Sequence, residues 1–139
     1  MRLIVDTSIL ISSLLKDSIT REILLLPFMS FYLPEFALEE IETKKEKISK
    51  LSGLSRDEID ILLDLMLDNI SIVSAKMIEP HLEEADKLIG RIDPNDIPFV
   101  ALSLAVENDG IWSSDKHFRQ MKGVTVWKTS DLLVYLKKR

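Results

Sequence analysis

The stretch MRLIVDTS (residues 1–8) decides the fold class, because it joins a buried strand, an acid and a helix start. Residues 3–5 are all apolar, which is typical of a strand covered on both faces. Asp6 follows directly, and Thr7 or Ser8 is suited to cap a helix that reaches about residue 15. A strand that passes directly into a helix is the repeating unit of an α/β fold.

The rest of the chain repeats this alternation of short apolar runs and helical patterns. We expect strands at 2–6, 31–33, 70–73, 111–113 and 124–127, and helices at 7–15, 18–26, 34–51, 55–67, 77–91, 95–108, 115–122 and 130–138. Strands separated by helices predict a parallel sheet with helices on both faces. The sequence therefore predicts a single α/β domain over residues 1–139. Its architecture is a three-layer α/β/α sandwich around a central, mainly parallel sheet of about five short strands.

Composition excludes several classes of protein. Hydrophobic residues make up 46% of the chain, with only 4 Gly and 5 Pro, so a disordered or low-complexity chain is excluded. The absence of Cys excludes disulfides, a thiol nucleophile and a zinc–thiolate site. The sequence also lacks a Gly-x-Ser-x-Gly elbow, a phosphate-binding glycine loop and an HxxxH pair, which removes the usual motifs of serine hydrolases, nucleotide-binding proteins and zinc enzymes.

Charge and hydropathy bear on partners and compartment. The net charge of −5 argues against a broad basic surface for nucleic acid, although an enzyme can still meet phosphates through bound cations. The acid at position 6 is too early for a signal peptide, and the longest apolar run, 97–106, is about half of a membrane span. We therefore expect a cytoplasmic protein without a membrane partner.

Four carboxylates lie where a predicted buried element meets an exposed end: Asp6, Glu40, Asp96 and Asp115. Burying a carboxylate is costly unless a positive group meets it. No Lys or Arg is obviously placed in the sequence to pair with Asp6 or Asp96. A divalent cation bound by the four acids explains the pattern, because Mg²⁺ and Mn²⁺ prefer oxygen ligands.

The position of Glu40 on its helix has two interpretations. A rotation of 100° per residue predicts an apolar arc formed by Phe36, Ala37, Ile41, Ile48 and Leu51. Glu40 falls within that arc, whereas Glu39 and Glu42 fall on the opposite side. An inward Glu40 is either part of an acidic site or the partner of Lys44 in an i, i+4 ion pair, and the pattern favours neither.

Structural roles account for the other acids to different degrees. Asp93 is better explained as a helix cap, because Pro94 follows it at the first helical position. Asp96 suits both a helix first turn and a metal ligand, and Asp115 is a first-turn acid after the possible cap Ser114. Asp6 has the weakest structural explanation, because it directly follows a buried strand.

Four short motifs occur in order: IVDTS (4–8), LP (33–34) leading to EI (40–41), DIPFVALSLA (96–105) and WSSDKHF (112–118). Together they resemble the PIN-domain family of metal-dependent nucleases, the fold of the VapC-type toxins in toxin–antitoxin pairs. The counterparts in the family are a strand ending in Asp, a glutamate on the helix after strand two, an acid opening an Ala-bearing helix, and a Thr-x-Asp-x-x-Phe motif. Ser113 stands in the place of that Thr. The resemblance covers essentially the whole chain.

The resemblance implies a metal site for Mg²⁺ or Mn²⁺. Its expected metal ligands are Asp6, Asp96 and Asp115, with Glu40 either ligating directly or orienting the attacking water. Many relatives carry a further acid two residues after the last aspartate, where this chain has His117. Asp93 is the alternative source of that acid, so one or two metal ions remain open.

Further residues are expected to support this site. Ser8 and Ser113 are placed to hold the ligating carboxylates by hydrogen bonds. Lys44 and Lys116 are expected to meet the backbone of the substrate. The catalytic set implied by the resemblance is therefore Asp6, Glu40, Asp96 and Asp115.

The resemblance implies a metal-dependent endoribonuclease that hydrolyses phosphodiester bonds, acting as the toxin of a toxin–antitoxin pair. The implied partners are RNA as substrate, a second copy of the chain in a homodimer, and an antitoxin protein. The alternative is a non-catalytic RNA-binding or scaffolding module of the same fold. A receiver-like domain would need paired acids at the first strand end, and a haloacid-dehalogenase phosphatase would need Asp-x-Asp there, where Ser8 stands in the second place.

Overall fold

Five parallel strands form one sheet in the computed structural model, which describes residues 1–15, 18–120 and 123–138. The strands are β1 Arg2–Val5, β2 Ser30–Pro34, β3 Ile70–Val73, β4 Ile111–Trp112 and β5 Val126–Trp127. Their order across the sheet is β3-β2-β1-β4-β5, and every pair is parallel. All five lie where the apolar runs predicted them, so the expected parallel α/β sheet is confirmed.

Eight α-helices connect and cover these strands in the described part of the chain. They are α1 Thr7–Leu14, α2 Ile19–Leu24, α3 Glu35–Ser52, α4 Arg56–Leu67, α5 Ala75–Ile78, α6 Leu82–Ile89, α7 Ile97–Ala105 and α8 Thr129–Lys137. Short 3₁₀ helices span Glu79–His81, Pro94–Asp96 and Lys116–Gln120. The predicted capping box at the start of α4 is present, with Ser55 and Glu58 each accepting from the other's backbone N–H.

Three predicted helices differ in detail from the observed ones. The helix expected at 77–91 is divided by the 3₁₀ turn at Pro80, which has no N–H to continue a helical ladder. The helix expected at 95–108 ends at Ala105, because Asn108 donates to the carbonyls of Ser103 and Val106. The segment expected as a helix at 115–122 is a 3₁₀ helix as far as residue 120, and residues 121–122 lie outside the described part.

The direction of the chain across the sheet assigns the helices to two layers. From β1 to β3 the chain moves towards one edge, and from β3 to β4 it crosses back past β1. Right-handed crossovers therefore place α1–α4 on one face and α5–α7 on the other. Packing agrees, because α1 contacts α2, α3 and α4, while α7 contacts α5, α6 and the central strands β1 and β2.

The buried stripe of α3 is rotated slightly from the predicted arc. Buried residues on this helix are Ala37, Ile41, Lys45 and Ile48, whereas Phe36 and Leu51 are 38% and 58% exposed. The prediction for Phe36 and Leu51 was wrong, because Lys45 occupies the inner face instead. Its Nζ lies 2.6 Å from Asp60 Oδ1 of α4 and 2.5 Å from Glu42 Oε2. An ion pair thus joins α3 to α4 where apolar packing was expected.

Gly110 fixes the entry of the chain into β4. Its φ of +136° is one that residues with a side chain rarely adopt. A Cβ at this position would lie 2.6 Å from the carbonyl oxygen of Thr125 and 2.8 Å from the ring of Trp127. The close approach of the chain before β5 to Gly110 therefore requires glycine there.

No helix in the described ranges is long and apolar enough to cross a membrane.

Candidate metal centre

The predicted acids gather at the carboxyl ends of β1 and β4, the two neighbouring central strands. The connection from β1 leads to one edge of the sheet, whereas β4 continues towards the other edge. This reversal opens a crevice between the two strand ends, where parallel α/β sheets bind ligands. Asp6 follows β1 and Asp115 follows β4 by three residues, so both lie at this crevice.

Asp6 is held in place by two serine hydroxyls. Ser8 Oγ donates to its Oδ2 at 2.8 Å, and Ser113 Oγ donates to the same oxygen at 2.7 Å. The backbone N–H of Asp6 donates to the carbonyl of Trp112, which extends the pairing of β1 with β4 by one step. Asp6 is only 6% exposed as a residue, so the surrounding protein and the two hydroxyls together hold its side chain in one orientation.

The loop after β4 is shaped by a chain of short contacts. Ser113 Oγ, which donates to Asp6, also accepts from the backbone N–H of Asp115 at 2.9 Å. Asp115 Oδ1 in turn accepts from the backbone N–H of His117 at 2.9 Å. The adjacent Phe118 is fully buried and anchors the loop in the core. Serine at position 113 therefore links the carboxylate of Asp6 to the backbone of Asp115.

Asp93 and Asp96 enter from the other side of the crevice, on the turn that precedes α7. Asp93 Oδ1 accepts from the backbone N–H of Asn95 at 3.0 Å, which is the capping role expected for it. Asp96 makes no capping hydrogen bond, although it precedes the first residue of α7. Its side chain is 7% exposed and points into the crevice rather than along its own helix.

Three carboxylates and one imidazole meet in this crevice. Asp93, Asp96, Asp115 and His117 each place one ligand atom within 4.8 Å of all the others. His117 Nδ1 lies 3.2 Å from Asp93 Oδ2, 3.2 Å from Asp115 Oδ1 and 3.7 Å from Asp96 Oδ2. The structure thus brings together two predicted ligands, the alternative acid Asp93, and a histidine that the sequence had not assigned to the site.

The burial of the acids changes their proton affinity. Burial, together with the charges of Asp93, Asp6 and Asp115, raises the pKa of Asp96 from 3.8 to about 7, against a lowering by His117. Burial also raises the pKa of Asp6, partly offset by the hydrogen bonds from Ser113 and Ser8. These mutual effects show that Asp6, Asp96 and Asp115 belong to one electrostatic cluster.

Glu40 reaches this region from α3 through a hydrogen bond to the residue after Asp6. Thr7 Oγ1 donates to Glu40 Oε1 at 2.8 Å, which ties α3 to the start of α1. The ion pair with Lys44 is also present, with Lys44 Nζ 3.9 Å from Glu40 Oε2. Glu40 is 22% exposed, whereas Glu39 and Glu42 are exposed. The ion pair with Lys44 is therefore present, and the place of Glu40 in an acidic site stays a prediction.

The donor set and its unpaired atoms fit a divalent cation. Within the described residues, Asp96 Oδ2 and His117 Nδ1 are buried and have no hydrogen-bond partner. A buried polar atom without a partner is costly, and a cation in the cluster removes that cost. Carboxylate oxygens are the ligands that Mg²⁺ and Mn²⁺ prefer. Lys116 is exposed beside the cluster, and Lys44 is half exposed near Glu40.

Sequence reasoning missed two residues of this arrangement, Thr7 and His117. Thr7 was considered only as a helix cap, although its hydroxyl positions Glu40. His117 was compared with the spacing of zinc motifs, which describes ligands on one element and says nothing of ligands from separate loops. The available indication was its place two residues after Asp115, where relatives carry an acid.

The chain is an α/β protein with a candidate metal site at the carboxyl edge of its parallel sheet. Residues 4–137 match the family model described as PIN domain, and the chain therefore belongs to the PIN-domain family. Its members are typically nucleases. A similar chain occurs in the crystal structure of VapBC2 from Rickettsia felis bound to a DNA fragment from their promoter. The match has a TM-score of 0.70 and 16% sequence identity, and covers 92% of this chain and 98% of that chain. A comparison with curated protein sequences gives no match.

Proposed function

We propose that this chain is a metal-dependent endoribonuclease that hydrolyses phosphodiester bonds. The observation that carries the proposal is the partly buried cluster of Asp93, Asp96, Asp115 and His117 near the carboxyl ends of β1 and β4, in a chain of the PIN-domain family. The site has no need of a side-chain nucleophile, in keeping with a sequence that has no Cys and no serine-hydrolase motif. Water is the attacking group in this proposal.

Asp6, Asp96 and Asp115 are the proposed ligands of Mg²⁺ or Mn²⁺, with Asp93 completing the set. A cation bound there supplies a Lewis acid that lowers the pKa of a bound water and offsets charge on the phosphodiester. Ser113 and Ser8 keep Asp6 turned towards the crevice. Glu40, held by Thr7, is proposed to bind the metal or to orient the attacking water.

The proposed substrate contacts come from two lysines at the rim of the site. Lys116 is exposed between Asp115 and His117, and Lys44 is half exposed one turn after Glu40. An ammonium group at each position can meet a phosphate of the RNA backbone. Because the net charge of the chain is −5, binding is expected to depend on bound cations and these local lysines rather than on a broad basic face.

A cleavage assay on labelled single-stranded RNA and single-stranded DNA tests this proposal. The wild type should cleave RNA with Mg²⁺ or Mn²⁺ and should lose activity with a chelator. Asp6→Asn should abolish cleavage and strongly weaken metal binding measured by calorimetry, while circular dichroism remains that of the folded protein. Unchanged metal affinity in Asp6→Asn contradicts the ligand assignment, and cleavage of DNA alone contradicts the substrate.

We also propose an antitoxin protein as a partner, with the chain as the toxin of the pair. The support is the similarity to a chain of the VapBC2 complex, a structure that contains both components and promoter DNA. A gene for a small DNA-binding protein beside the gene for this chain, whose product co-purifies with it, is the expected finding. A chain that folds and binds no neighbouring gene product contradicts this part of the proposal.

The alternative is a module of the same fold that binds RNA without cleaving it. The set of carboxylates disfavours it, because a chain released from catalysis has no need to keep Asp93, Asp96 and Asp115 together beside the buried Asp6. The cleavage assay separates the two functions directly. RNA binding without cleavage at any concentration of Mg²⁺ or Mn²⁺ identifies the non-catalytic module.

A further inference from the structure

The imidazole of His117 is directed into the carboxylate cluster by the loop after β4. Its side chain is 43% exposed overall, yet Nδ1 is buried and lacks a hydrogen-bond partner in the described part of the chain. The backbone N–H of His117 is tied to Asp115 Oδ1, and the next residue, Phe118, is fully buried. The ring position is thus set by its own backbone and by the core, with Nδ1 facing the acids.

The spacing of the four ligand atoms matches a metal coordination shell. With bonds of about 2.1 Å, neighbouring ligands in an octahedron lie about 3.0 Å apart and opposite ones about 4.2 Å apart. Nδ1 lies 3.2 Å from Asp93 Oδ2, 3.2 Å from Asp115 Oδ1 and 3.7 Å from Asp96 Oδ2. Asp93, Asp96, Asp115 and His117 each offer one ligand atom within 4.8 Å of the others, somewhat wider than the shell of a bound ion. Nδ1 is therefore placed so that a small contraction of the cluster around a cation would make it a ligand, as the carboxylate oxygens would be.

A second observation points independently to a ligand at the same place. Asp96 is 95% buried as a residue, and its Oδ2 has no hydrogen-bond partner among the described residues. That oxygen is directed at the same space as His117 Nδ1. A carboxylate oxygen that is buried without a hydrogen bond, beside an imidazole nitrogen in contact with three carboxylates, is the donor arrangement that a bound cation would satisfy.

We infer that His117 Nδ1 is a metal ligand in this protein and that it makes the centre select Mn²⁺ and the heavier first-row divalent ions over Mg²⁺. The inference rests on the proposed metal-dependent function and names the metal that this centre prefers. Imidazole nitrogen suits the later first-row ions best, and Mg²⁺ favours carboxylate, carbonyl and water oxygens. Mn²⁺ shares the preference of Mg²⁺ for oxygen but, as a first-row transition ion, accepts a nitrogen ligand more readily than Mg²⁺ does. Histidine in place of an acid also removes one negative charge from the ligand set, and this loss lowers the affinity for Mg²⁺ most.

A Mn²⁺ spectroscopic experiment on the whole chain tests this inference without any cleavage assay. Electron-spin-echo modulation of the Mn²⁺ complex should show coupling to a directly bound ¹⁴N nucleus. The coupling should disappear in His117→Ala and in His117→Asp. The chain contains 2 histidines, so His81→Ala is the matched control and should keep the coupling.

Competition binding provides the second measurement. His117→Ala should lower the affinity for Mn²⁺ by about ten-fold or more, since loss of even a group that hydrogen-bonds to a metal ligand costs that much affinity. The same change should affect Mg²⁺ far less. His117→Asp should raise the affinity for Mg²⁺ and remove the preference of the site for Mn²⁺. Circular dichroism of each variant establishes that it is folded.

The outcomes distinguish the inference from the function on which it rests. Absence of ¹⁴N coupling, with Mn²⁺ still bound and lost in Asp6→Asn, overturns the role of His117 and leaves the metal centre intact. A gain of affinity for both ions in His117→Ala also overturns it, because the ring would then be a cation that competes with the metal for the acids. Failure of the wild type to bind Mn²⁺ or Mg²⁺ overturns the proposed function itself.

Discussion

Glu40 differs from its neighbours on α3 because it faces another element instead of solvent. Thr7, the residue after Asp6, donates a hydrogen bond to one of the carboxylate oxygens of Glu40. Glu40→Gln should therefore lower metal-dependent RNA cleavage by orders of magnitude with little loss of folding, because Gln keeps the volume and polarity. Initial rates with Mn²⁺, together with a urea unfolding curve, measure both effects.

Glu39→Gln is the matched control for that substitution. Glu39 is exposed one position earlier on the same helix, and removal of an exposed charge away from a site changes little beyond about 0.5 kcal/mol. Glu42→Gln should also leave cleavage near wild type, although it removes one of the two acidic partners of Lys45 and is the weaker control for stability. Loss of activity in Glu39→Gln but not in Glu40→Gln would show that the assumed orientation of α3 is wrong.

Asp96 should make the stability of the metal-free protein depend on pH. Its pKa is raised from 3.8 to about 7 in the folded chain, chiefly by burial, so folding favours its protonated form. The contribution of Asp96 to the free energy of unfolding is fully present below pH 3.8 and is lost as the pH rises through about 7. From pH 5 to pH 8 the free energy of unfolding should fall by about 2–3 kcal/mol more in the wild type than in Asp96→Asn.

Urea titrations with a chelator at the two pH values provide this measurement. Asp96→Asn is the reference for the wild type, because asparagine keeps the shape of the side chain and does not titrate. Equal pH dependence in the two proteins would show that Asp96 does not titrate in this range. Saturating Mn²⁺ should reduce the difference for the wild type, since the metal competes with the proton.

Single residues of the site were predictable to the extent that local sequence determines them. Asp6 and Asp115 follow apolar strands, and their positions at one sheet edge follow from parallel topology. The interactions of Thr7 with Glu40 and of His117 with Asp93 join segments far apart in the chain, and no local pattern encodes them. The site roles of these acids stay predictions until the variants are measured.

At the scale of elements, Gly110 should contribute to stability by allowing the chain to enter β4 close to the segment before β5. Gly110→Ala places a Cβ 2.6 Å from the Thr125 carbonyl and forces a side chain into a conformation with φ of +136°. We expect a loss of about 2–4 kcal/mol of unfolding free energy, since strain and a backbone clash add. Thermal or urea unfolding measures this loss.

Gly53→Ala is the control that separates the clash from the backbone conformation. Gly53 follows α3 with a φ of +76°, and an added Cβ meets no atom within 4 Å. Its substitution should cost only about 1–2 kcal/mol, the ordinary penalty for a left-handed alanine. An equal loss in both variants would show that the contact between Gly110 and Thr125 contributes nothing.

Strand positions were predicted well because each is a short apolar run with clear breaks on both sides. Helix ends were less predictable, since Pro80 divides one helix and Asn108 ends another by bonding to its carbonyls. The inner face of α3 was misassigned at Phe36 and Leu51 because a lysine, normally a surface residue, is buried by its acidic partners. Such burial depends on Asp60, which belongs to a different helix.

At the scale of the whole molecule, exposed apolar surface on α4 favours a homodimer. Ile61 and Leu65 are 63% and 55% exposed, one turn apart. Ile61 also lines a cavity of about 410 Å³, mostly apolar, between α1, α2 and α4. We expect the wild type to be dimeric at micromolar concentration and the Ile61→Lys, Leu65→Lys double variant to be monomeric, as measured by light scattering.

Val134→Lys is the control for that experiment. Val134 is an apolar residue of α8 that is 54% exposed, so its replacement tests the effect of added charge alone. The control should keep the dimer mass. A wild-type monomer, or a double variant of unchanged dimer mass, contradicts the assignment of α4 to the interface.

The pairing of β1 with β4 also has a consequence for the order in which a ribosome makes this protein. Ser113, which orients Asp6, lies 107 positions after it in the chain and is therefore made later. Because chains are made at about 5–20 residues per second, a delay of seconds separates the two. The cluster of acids therefore assembles only after residue 117 has left the ribosome. Until then the Asp6 carboxylate lacks the hydroxyl of Ser113 that orients it in the folded protein.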